Sequence, residues 1–525
     1  MTDSKTDGSV EDPRPRIKVK TGDISRIVNE AESALMEYGA SIYHRGGELV
    51  RPCRVGQLSK KDEGAVSRSD DSIVLIPVNS TWLIEQMGRA AYWYKVVVKK
   101  RENKKVRVPL DPREIYARTL LCRNGEWRFP PLRGCIVTPT MTLDGRLIQQ
   151  AGYDVESQLL VNIGKEEFPV VSDKPTKDDA VSALKELANP FREFPFRGAG
   201  SRAVVLSGML TSLIRMSLRT SPLHAMDSPT PGNGKSLLAE TIGILATGVL
   251  PPAMSQGKSP EEDEKRLSTV LHYGDPVIHL DNCERPITGD FLCSILTQEV
   301  VQARILGESE RRVLPSTSLV IASGNNLLLA GDVTRRSIIA RIDSQVERPD
   351  ERVFTFCPRV ETRRDRITMV KAGLTILKAY HESGRPEKLR PMGSFEDWEI
   401  VRGALVWLGE ADPVETRAAI YAADPVREEL IEIADLWDKA FKERKVYVQD
   451  IDRNIAGAKE VNDLKTKFIE ACCRSGVWSG KSVGRWLMRN KERIVNGKFF
   501  TFKEEIGTGH IWQLKPAQGG LNLVG

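Results

Sequence analysis

The stretch Ser228-Pro-Thr-Pro-Gly-Asn-Gly-Lys-Ser236 follows a short apolar run and leads into the apolar segment that begins Leu237-Leu-Ala-Glu. Glycines allow a tight turn, and backbone N–H groups at the start of a helix can point inward onto phosphates. Lys235 can neutralise phosphate oxygens, and Ser236 can bind the magnesium ion that accompanies a nucleotide. The stretch therefore predicts an ATP-binding loop, with these members: Thr230, Pro231, Gly232, Asn233, Gly234, Lys235, Ser236 and Leu237.

One position departs from the G-x-x-x-x-G-K-[ST] pattern of such loops. Pro229 stands five residues before Gly234, where the pattern has glycine. Because Gly232 and Gly234 provide the close approach to the phosphates, we expect the loop to bind nucleotide, with Pro229 and Pro231 stiffening the turn.

A second apolar run, Pro276-Val-Ile-His-Leu, ends in Asp281. A carboxylate at the carboxyl end of a buried parallel strand beside the loop fits a magnesium ligand, together with Ser236. The next residue, Asn282, is an amide and cannot accept a proton from water. Either Glu284 serves as the base, or Asn282 orients the water.

A third run, Ser318-Leu-Val-Ile-Ala-Ser-Gly-Asn-Asn326, is also tipped by polar groups. Asn325 can bond the attacking water or the γ-phosphate. Arg335 and Arg336 follow shortly after, and we expect them to reach a neighbouring subunit's nucleotide, although a surface ion pair or a helix cap explains either one as well.

The alternation of strand, loop and helix around these motifs, which runs to about residue 343, is typical of a parallel sheet with crossover helices. The expected fold class is therefore a multidomain protein built on an α/β P-loop core. The predicted division of the chain is a disordered leader at 1–20, an α+β collar domain at 21–175, the ATPase core at 176–350, a helical lid at 351–445 and a winged helix at 446–525.

Two apolar arms around Gly307-Glu-Ser309 predict a β-hairpin within the core. Arg304, Arg311 and Arg312 on its arms could contact the backbone of single-stranded DNA. Acidic residues at its tip fit a solvated hairpin equally well.

The order and spacing of these motifs, with the phrases Gly-Asn-Asn and Gly-Asp-x-x-Arg-Arg, resemble the AAA+ class. They are similar to the superfamily 3-type replicative helicases of phages, plasmids and integrated elements, and the resemblance covers about residues 180–420. It implies a hexameric ring that hydrolyses ATP between subunits and moves along single-stranded and forked DNA. Such helicases are often fused to primases or encoded near them. The N-terminal region shows no paired-carboxylate polymerase site, so a primase or polymerase partner, if there is one, is expected to be a separate chain.

Positive charge is concentrated near the C-terminus. From 461 to 525 there are 11 Lys or Arg against 5 Asp or Glu, so this segment contains all of the net charge of +6. Read as a helix, 479–493 places Val483, Trp486 and Leu487 inward. The expected DNA contacts here are Lys481, Arg485, Arg489, Arg493 and Lys498. A charged solvated helix is the alternative.

A second basic stretch lies near the N-terminus. Residues 95–107 contain seven Lys or Arg and one Glu, next to Tyr92-Trp-Tyr94. Cations beside aromatic rings suit DNA, but lysines that guard an edge strand fit the same pattern.

Composition limits the remaining possibilities. At 525 residues and 40% hydrophobic content, the chain exceeds one core and fits three or four globular domains. It has no long apolar run, no Cys-x-x-Cys pair and no metal-ligand spacing of histidines, so we expect a cytoplasmic protein that neither spans a membrane nor binds a metal of its own.

The expected function is an ATP-dependent DNA helicase in mobile-element replication. The alternatives are an ATPase that loads or remodels proteins on DNA, and a nucleotide-gated DNA-binding scaffold.

Overall fold

The computed structural model describes residues 12–57, 68–99, 103–164, 166–304, 311–453, 457–473, 475–505 and 509–517. The chain divides into two compact units. The first comprises Met1–Arg285, Gly289–Leu327 and Arg336–Thr416, and the second comprises Pro286–Thr288, Leu328–Arg335 and Arg417–Gly525.

The N-terminal part of the first unit is a mixed α+β region with small sheets of order β1-β5-β6, β2-β3-β4, β10-β11-β7 and β8-β9. Its elements are β1 (Arg16–Lys18), α1 (Ile24–Glu37), β2 (Tyr43–Arg45), β3 (Glu48–Arg54), β4 (Ile73–Pro77), α2 (Ser80–Ala90), β5 (Tyr92–Lys99), β6 (Lys104–Pro109), α3 (Glu114–Leu121), β7 (Gly134–Ile136), β8 (Thr140–Met141), β9 (Leu147–Ile148), β10 (Gly152–Asp154) and β11 (Leu159–Val161).

The prediction that a disordered leader extends to residue 20 is wrong at its end, because β1 lies within 1–20. This strand pairs in parallel with β5, and its Ile17 is 1% exposed because it joins the core formed by α1, α2 and α3. One apolar residue in a three-residue strand is too short a signal for sequence periodicity to detect. Residues 1–11 lie outside the described residues.

The centre of the first unit is a five-stranded parallel sheet of order β13-β14-β17-β12-β18. The elements of this part are α4 (Lys177–Ala188), α5 (Ala199–Ile214), β12 (Leu223–Ser228), α6 (Lys235–Thr247), β13 (Ala253–Ser255), α7 (Pro260–Tyr273), β14 (Val277–Asp281), α8 (Asp290–Thr297), β15 (Val300–Arg304), β16 (Arg311–Pro315), β17 (Leu319–Asn325) and β18 (Ser337–Arg341). The apolar runs are β12, β14 and β17, and their burial on both faces explains why apolar residues do not alternate with polar ones.

Two further helices, α9 (Pro358–Glu382) and α10 (Glu399–Trp407), complete the first unit. Helix α9 packs against α4 and α6, and Trp398, just before α10, donates from Nε1 to Thr211 Oγ1 of α5 at 2.8 Å. These helices therefore belong to the core unit, which ends at Thr416. The predicted lid at 351–445 is thus divided between the two units, because helical periodicity does not show which surface a helix packs against.

The second unit contains α11 (Arg417–Ala422), α12 (Pro425–Phe441), β19 (Val446–Tyr447), α13 (Val448–Arg453), α14 (Lys459–Cys472), α15 (Gly480–Asn490), β20 (Lys498–Glu505) and β21 (Gly509–Pro516). The predicted order of helix, helix and hairpin is present, and β19 adds a third antiparallel strand to the hairpin. Its core combines aliphatic side chains with five buried aromatic ones: Trp437, Phe468, Trp486, Phe500 and Trp512. No helix within the described ranges is both long enough and apolar enough to cross a bilayer.

Candidate functional site

The loop between β12 and α6 has the backbone that a phosphate-binding turn requires. Gly232 and Gly234 adopt φ of +83° and +96°, values that favour glycine. Gly234 is the N-terminal cap residue of the 13-residue helix α6. The first backbone N–H groups of α6 have no partner within the helix, so they are available to an anion at this end.

Asn233 fixes the shape of this loop from within. Its side chain is 2% exposed, and Nδ2 donates to Ser228 Oγ and Thr230 Oγ1, each at 2.8 Å. The backbone N–H of Ser344 donates to its Oδ1 at 3.2 Å. Asn233, predicted as a nucleotide contact, therefore acts in this structure as a loop support.

Lys235 and Asn325 meet at the carboxyl edge of the sheet. Strands β12 and β17 are neighbours with Ser228 opposite Asn325, and Lys235 Nζ donates to Asn325 Oδ1 at 2.6 Å. Burial lowers the pKa of Lys235 although Asp227 and Asp281 favour its charged form. The ammonium is therefore held in a partly desolvated position, where its attraction for an anion is stronger than in water.

Ser236 and Asp281 also meet, as predicted for a shared magnesium site. Ser236 Oγ donates to Asp281 Oδ1 at 2.9 Å, and Ser323 Oγ donates to the same oxygen at 2.6 Å. Burial acts to raise the pKa of Asp281, but these hydrogen bonds and the nearby His279 outweigh it, so the pKa lies below its ordinary value. The carboxylate is ready to bind a cation.

His279 and Ser323 support this carboxylate, and sequence reasoning missed both. His279 Nε2 and Ser323 Oγ are 2.9 Å apart, and both side chains are buried within the sheet. The available signal was the presence of a histidine and a serine inside otherwise apolar strands, since buried polar groups require partners.

Asn282 and Glu284 lie together just beyond β14. Asn282 has φ of +51°, and its Nδ2 donates to Glu284 Oε1 at 3.1 Å. Both residues are exposed. The two candidates for positioning water are therefore joined in one pair, in which the amide orients the carboxylate.

Asn326 attaches the Pro229 turn to the neighbouring strand. Its backbone N–H donates to the Ser228 carbonyl at 3.0 Å, and its Nδ2 donates to the Pro229 carbonyl at 3.3 Å. The proline at the position where the pattern has glycine is thus stabilised by a contact that the pattern does not require.

Together these groups fit a magnesium nucleotide. The helix N–H groups and Lys235 suit phosphate oxygens, and the hydroxyl of Ser236 and the carboxylate of Asp281 are hard oxygen ligands. Magnesium usually takes one or two such protein ligands and completes its shell with phosphate and water, so two are sufficient.

The remaining predicted catalytic residues, Arg335 and Arg336, end a short 3₁₀ helix at Gly331–Arg336. Arg335 is exposed, and its Nη2 lies 3.2 Å from Asp332 Oδ2. Arg336 is partly buried. The surface ion pair, which the sequence analysis gave as an alternative to a contact with a neighbouring subunit's nucleotide, is thus present for Arg335.

The predicted hairpin in the core is formed by β15 and β16, with 305–310 outside the described residues. Arg304 stands opposite Arg311 in the register, and the side chains of both lie outside the described residues. Arg312 forms an ion pair with Glu48 of β3. In this structure, Arg312 is therefore engaged within the protein.

The cations predicted to contact DNA in the C-terminal region lie on helix α15 or after its end. Lys481, Arg485 and Arg489 are exposed on α15, whose Val483, Trp486 and Leu487 are buried as predicted. The expectation that Arg493 belongs to this helix is corrected: α15 ends at Asn490, and Arg493 Nη1 donates to Asn490 Oδ1 at 2.9 Å. Lys498 pairs with Asp438 at 2.7 Å.

Comparison with known proteins gives distant structural likeness. No family model and no curated protein matches the chain. The apo C-terminal region of NrS-1 is 11% identical, with a TM-score of 0.37 over 92% of this chain and 98% of that chain. SCCmec type IV Cch, an active helicase, is 10% identical, with a TM-score of 0.33 over 91% and 98%. A JCV helicase is 12% identical, with a TM-score of 0.21 over 47% and 74%.

Proposed function

We propose that the chain is an ATP-dependent DNA helicase of the AAA+ class, a ring-forming motor that moves on single-stranded DNA during replication of a mobile element. The observation that carries the proposal is the pairing of Lys235 with Asn325 and of Ser236 with Asp281 at one edge of a parallel sheet. Three separate sequence motifs thereby converge on the end of one helix, as ATP hydrolysis requires.

Each residue has a role that its position supports. The helix N–H groups and Lys235 hold the phosphates, while Ser236 and Asp281 hold magnesium. Asn325, which accepts a hydrogen bond from Lys235, would contact the γ-phosphate or the attacking water. Glu284 accepts the proton of that water, and Asn282 holds the Glu284 carboxylate in place.

In the proposed ring, Arg335 or Arg336 stabilises charge on the nucleotide of the adjacent subunit, as arginine fingers do. Lys481, Arg485 and Arg489 contact DNA phosphates, supported by their exposure on one helix. The winged-helix description of 446–525 belongs to this proposal, and the order of α14, α15 and the β20–β21 hairpin supports it.

Replacement of Lys235 by alanine tests the site. We expect K235A to lose ATP hydrolysis and strand displacement but to keep binding to DNA, because the cations of the second unit are unchanged. The matched control is K185A, which removes an exposed lysine from α4. Full ATP hydrolysis by K235A would refute the site.

Mixing variants tests the ring. Inactive K235A subunits mixed with an inactive R335A/R336A double variant should recover part of the activity, because intact half-sites can then meet. Hydrolysis stimulated by DNA without strand displacement would favour a remodelling ATPase. Nucleotide binding with no hydrolysis would favour a gated scaffold.

A further inference from the structure

The basic stretch of the N-terminal region forms a two-stranded ribbon with exposed faces. Strand β1 pairs with β5 only from Tyr92 to Tyr94, whereas β6 pairs with β5 as far as Lys99. The part of β5 from Lys95 to Lys99 therefore extends beyond the three-stranded sheet, for about 16 Å at 3.3 Å per residue. All five of these residues are exposed.

The ribbon contains cations without acids. Its two strands, 92–99 and 104–109, have no Asp or Glu, and their exposed cations are Lys95, Lys99, Lys104, Lys105 and Arg107. Helical arginines of the same region differ, because Arg26, Arg89 and Arg118 each pair with a glutamate one turn away.

Two features of the ribbon argue against the alternative that its lysines only guard an exposed strand edge. Lys99 stands directly opposite Lys104, and like charges opposite each other destabilise a strand pair. Val96, Val97 and Val98 are 36%, 40% and 48% exposed, so apolar side chains are exposed on both faces of the ribbon, which lysines that guard a strand edge do not explain. Phosphates that approach the ribbon relieve the repulsion between the lysines, and apolar groups of the same ligand can cover exposed valine.

We infer that this ribbon, β5 and β6 beyond Tyr94, binds duplex DNA by lying in the major groove. That groove is about 12 Å wide and admits a two-stranded ribbon. Lys95, Val97, Lys99 and Lys104 share one face of the ribbon, because side chains alternate between the two faces along each strand. With that face toward the DNA, phosphates on both sides of the groove neutralise the three lysines, and Val97 contacts base edges, where thymine methyl groups are apolar. Tyr94 lies under Arg107 at 5.4 Å and fixes that guanidinium. The inference rests on the proposed function insofar as a helicase meets duplex DNA ahead of the fork.

The test is the salt dependence of duplex binding by the full chain without nucleotide. The variant K95Q/K99Q/K104Q removes the three cations of that face, and each phosphate contact contributes about 0.9 to the slope of log affinity against log salt. The slope should therefore become shallower by about 2.7. Between 50 and 200 mM salt, the parent should then lose about 40-fold more affinity than the variant.

The matched control is R26Q/R89Q/R118Q, which removes the same charge from paired positions and should leave the slope unchanged. Because removing the Lys99–Lys104 pair relieves repulsion, the ribbon variant should unfold at no lower temperature than the parent. The single variant K104Q should reduce the slope by about 0.9 on its own.

An unchanged slope on duplex DNA would overturn the inference, and so would a loss confined to single-stranded DNA. Hydrolysis of ATP is measured separately. If the parent hydrolyses no ATP but the ribbon variant still shows the shallower slope, the proposed function fails and the ribbon inference stands. If the parent hydrolyses ATP but the ribbon variant keeps the slope of the parent, the ribbon inference fails and the proposed function stands.

Discussion

Two serines donate to the same oxygen of Asp281, and replacing each by alanine should give distinguishable results. Ser323 is 1% exposed and also contacts His279, whereas Ser236 lies at the start of α6 and is partly exposed. If Ser236 is a magnesium ligand and Ser323 positions the carboxylate, S236A should remove the effect of magnesium on ATP binding, whereas S323A should mainly lower stability and should weaken that effect without removing it.

The magnitudes follow from burial. A buried hydrogen bond to a charged group is worth about 1.5–3 kcal/mol, and S323A also leaves His279 with one contact fewer. We expect S323A to lower the free energy of unfolding by about 2–3 kcal/mol and to weaken magnesium-dependent ATP binding by about 10–100-fold. The partly exposed Ser236 should cost about 1 kcal/mol in stability.

Urea unfolding without nucleotide measures the stability of both variants, and calorimetric titration with ATP measures binding, once with magnesium and once with EDTA. S236A should lose the difference between the two titrations, because magnesium no longer finds the hydroxyl. S323A should retain a difference between the titrations with magnesium and with EDTA, but a smaller one than the parent. If S236A retains the full effect of magnesium, Ser236 is not a ligand and the reasoning is refuted.

Two other predictions concern the loop and the histidines of the first unit. G232A should be strained, because its φ is +83° and a Cβ there would lie 2.9 Å from the backbone nitrogen of Asp350; we expect a loss of about 1–2 kcal/mol and weaker ATP binding, whereas G384A, at φ of +77° with open space, shows the strain alone in urea unfolding. Burial lowers the pKa of His224 and of His272 to about 4, so their contribution to stability is complete above the ordinary value of 6.5 and is lost as the pH falls toward 4. The free energy of unfolding should fall by about 1.4 kcal/mol per histidine and pH unit in that window, and a flat profile from pH 6.5 to 4 would contradict this.

The parts of the site that the sequence could predict are those that one short segment determines. A glycine turn between a strand and a helix fixes Lys235 and Ser236 by local geometry, and the tips of apolar strands identify Asp281 and Asn325. Their mutual contacts could be expected because the carboxyl ends of parallel strands meet at one edge.

What the sequence could not predict depends on which strands are neighbours. Strand β17 lies between β12 and β14, and only this order brings Asn326 to the carbonyl of Pro229 and Ser323 to Asp281. Likewise, the boundary within 351–445 depends on α9 packing against α4 and α6, which helical periodicity leaves open.

The buried pair of His279 and Ser323 also argues for the importance of the carboxylate. Placing an imidazole and a hydroxyl inside a parallel sheet costs free energy unless their polar atoms are paired, and valines would fill such positions without that cost. His279 Nε2 pairs with Ser323 Oγ, and Ser323 Oγ donates to the oxygen of Asp281 to which Ser236 also donates. The sheet interior therefore holds one carboxylate oxygen in place beside the turn that we propose to bind phosphate, an arrangement that suits a magnesium nucleotide and that folding alone does not require.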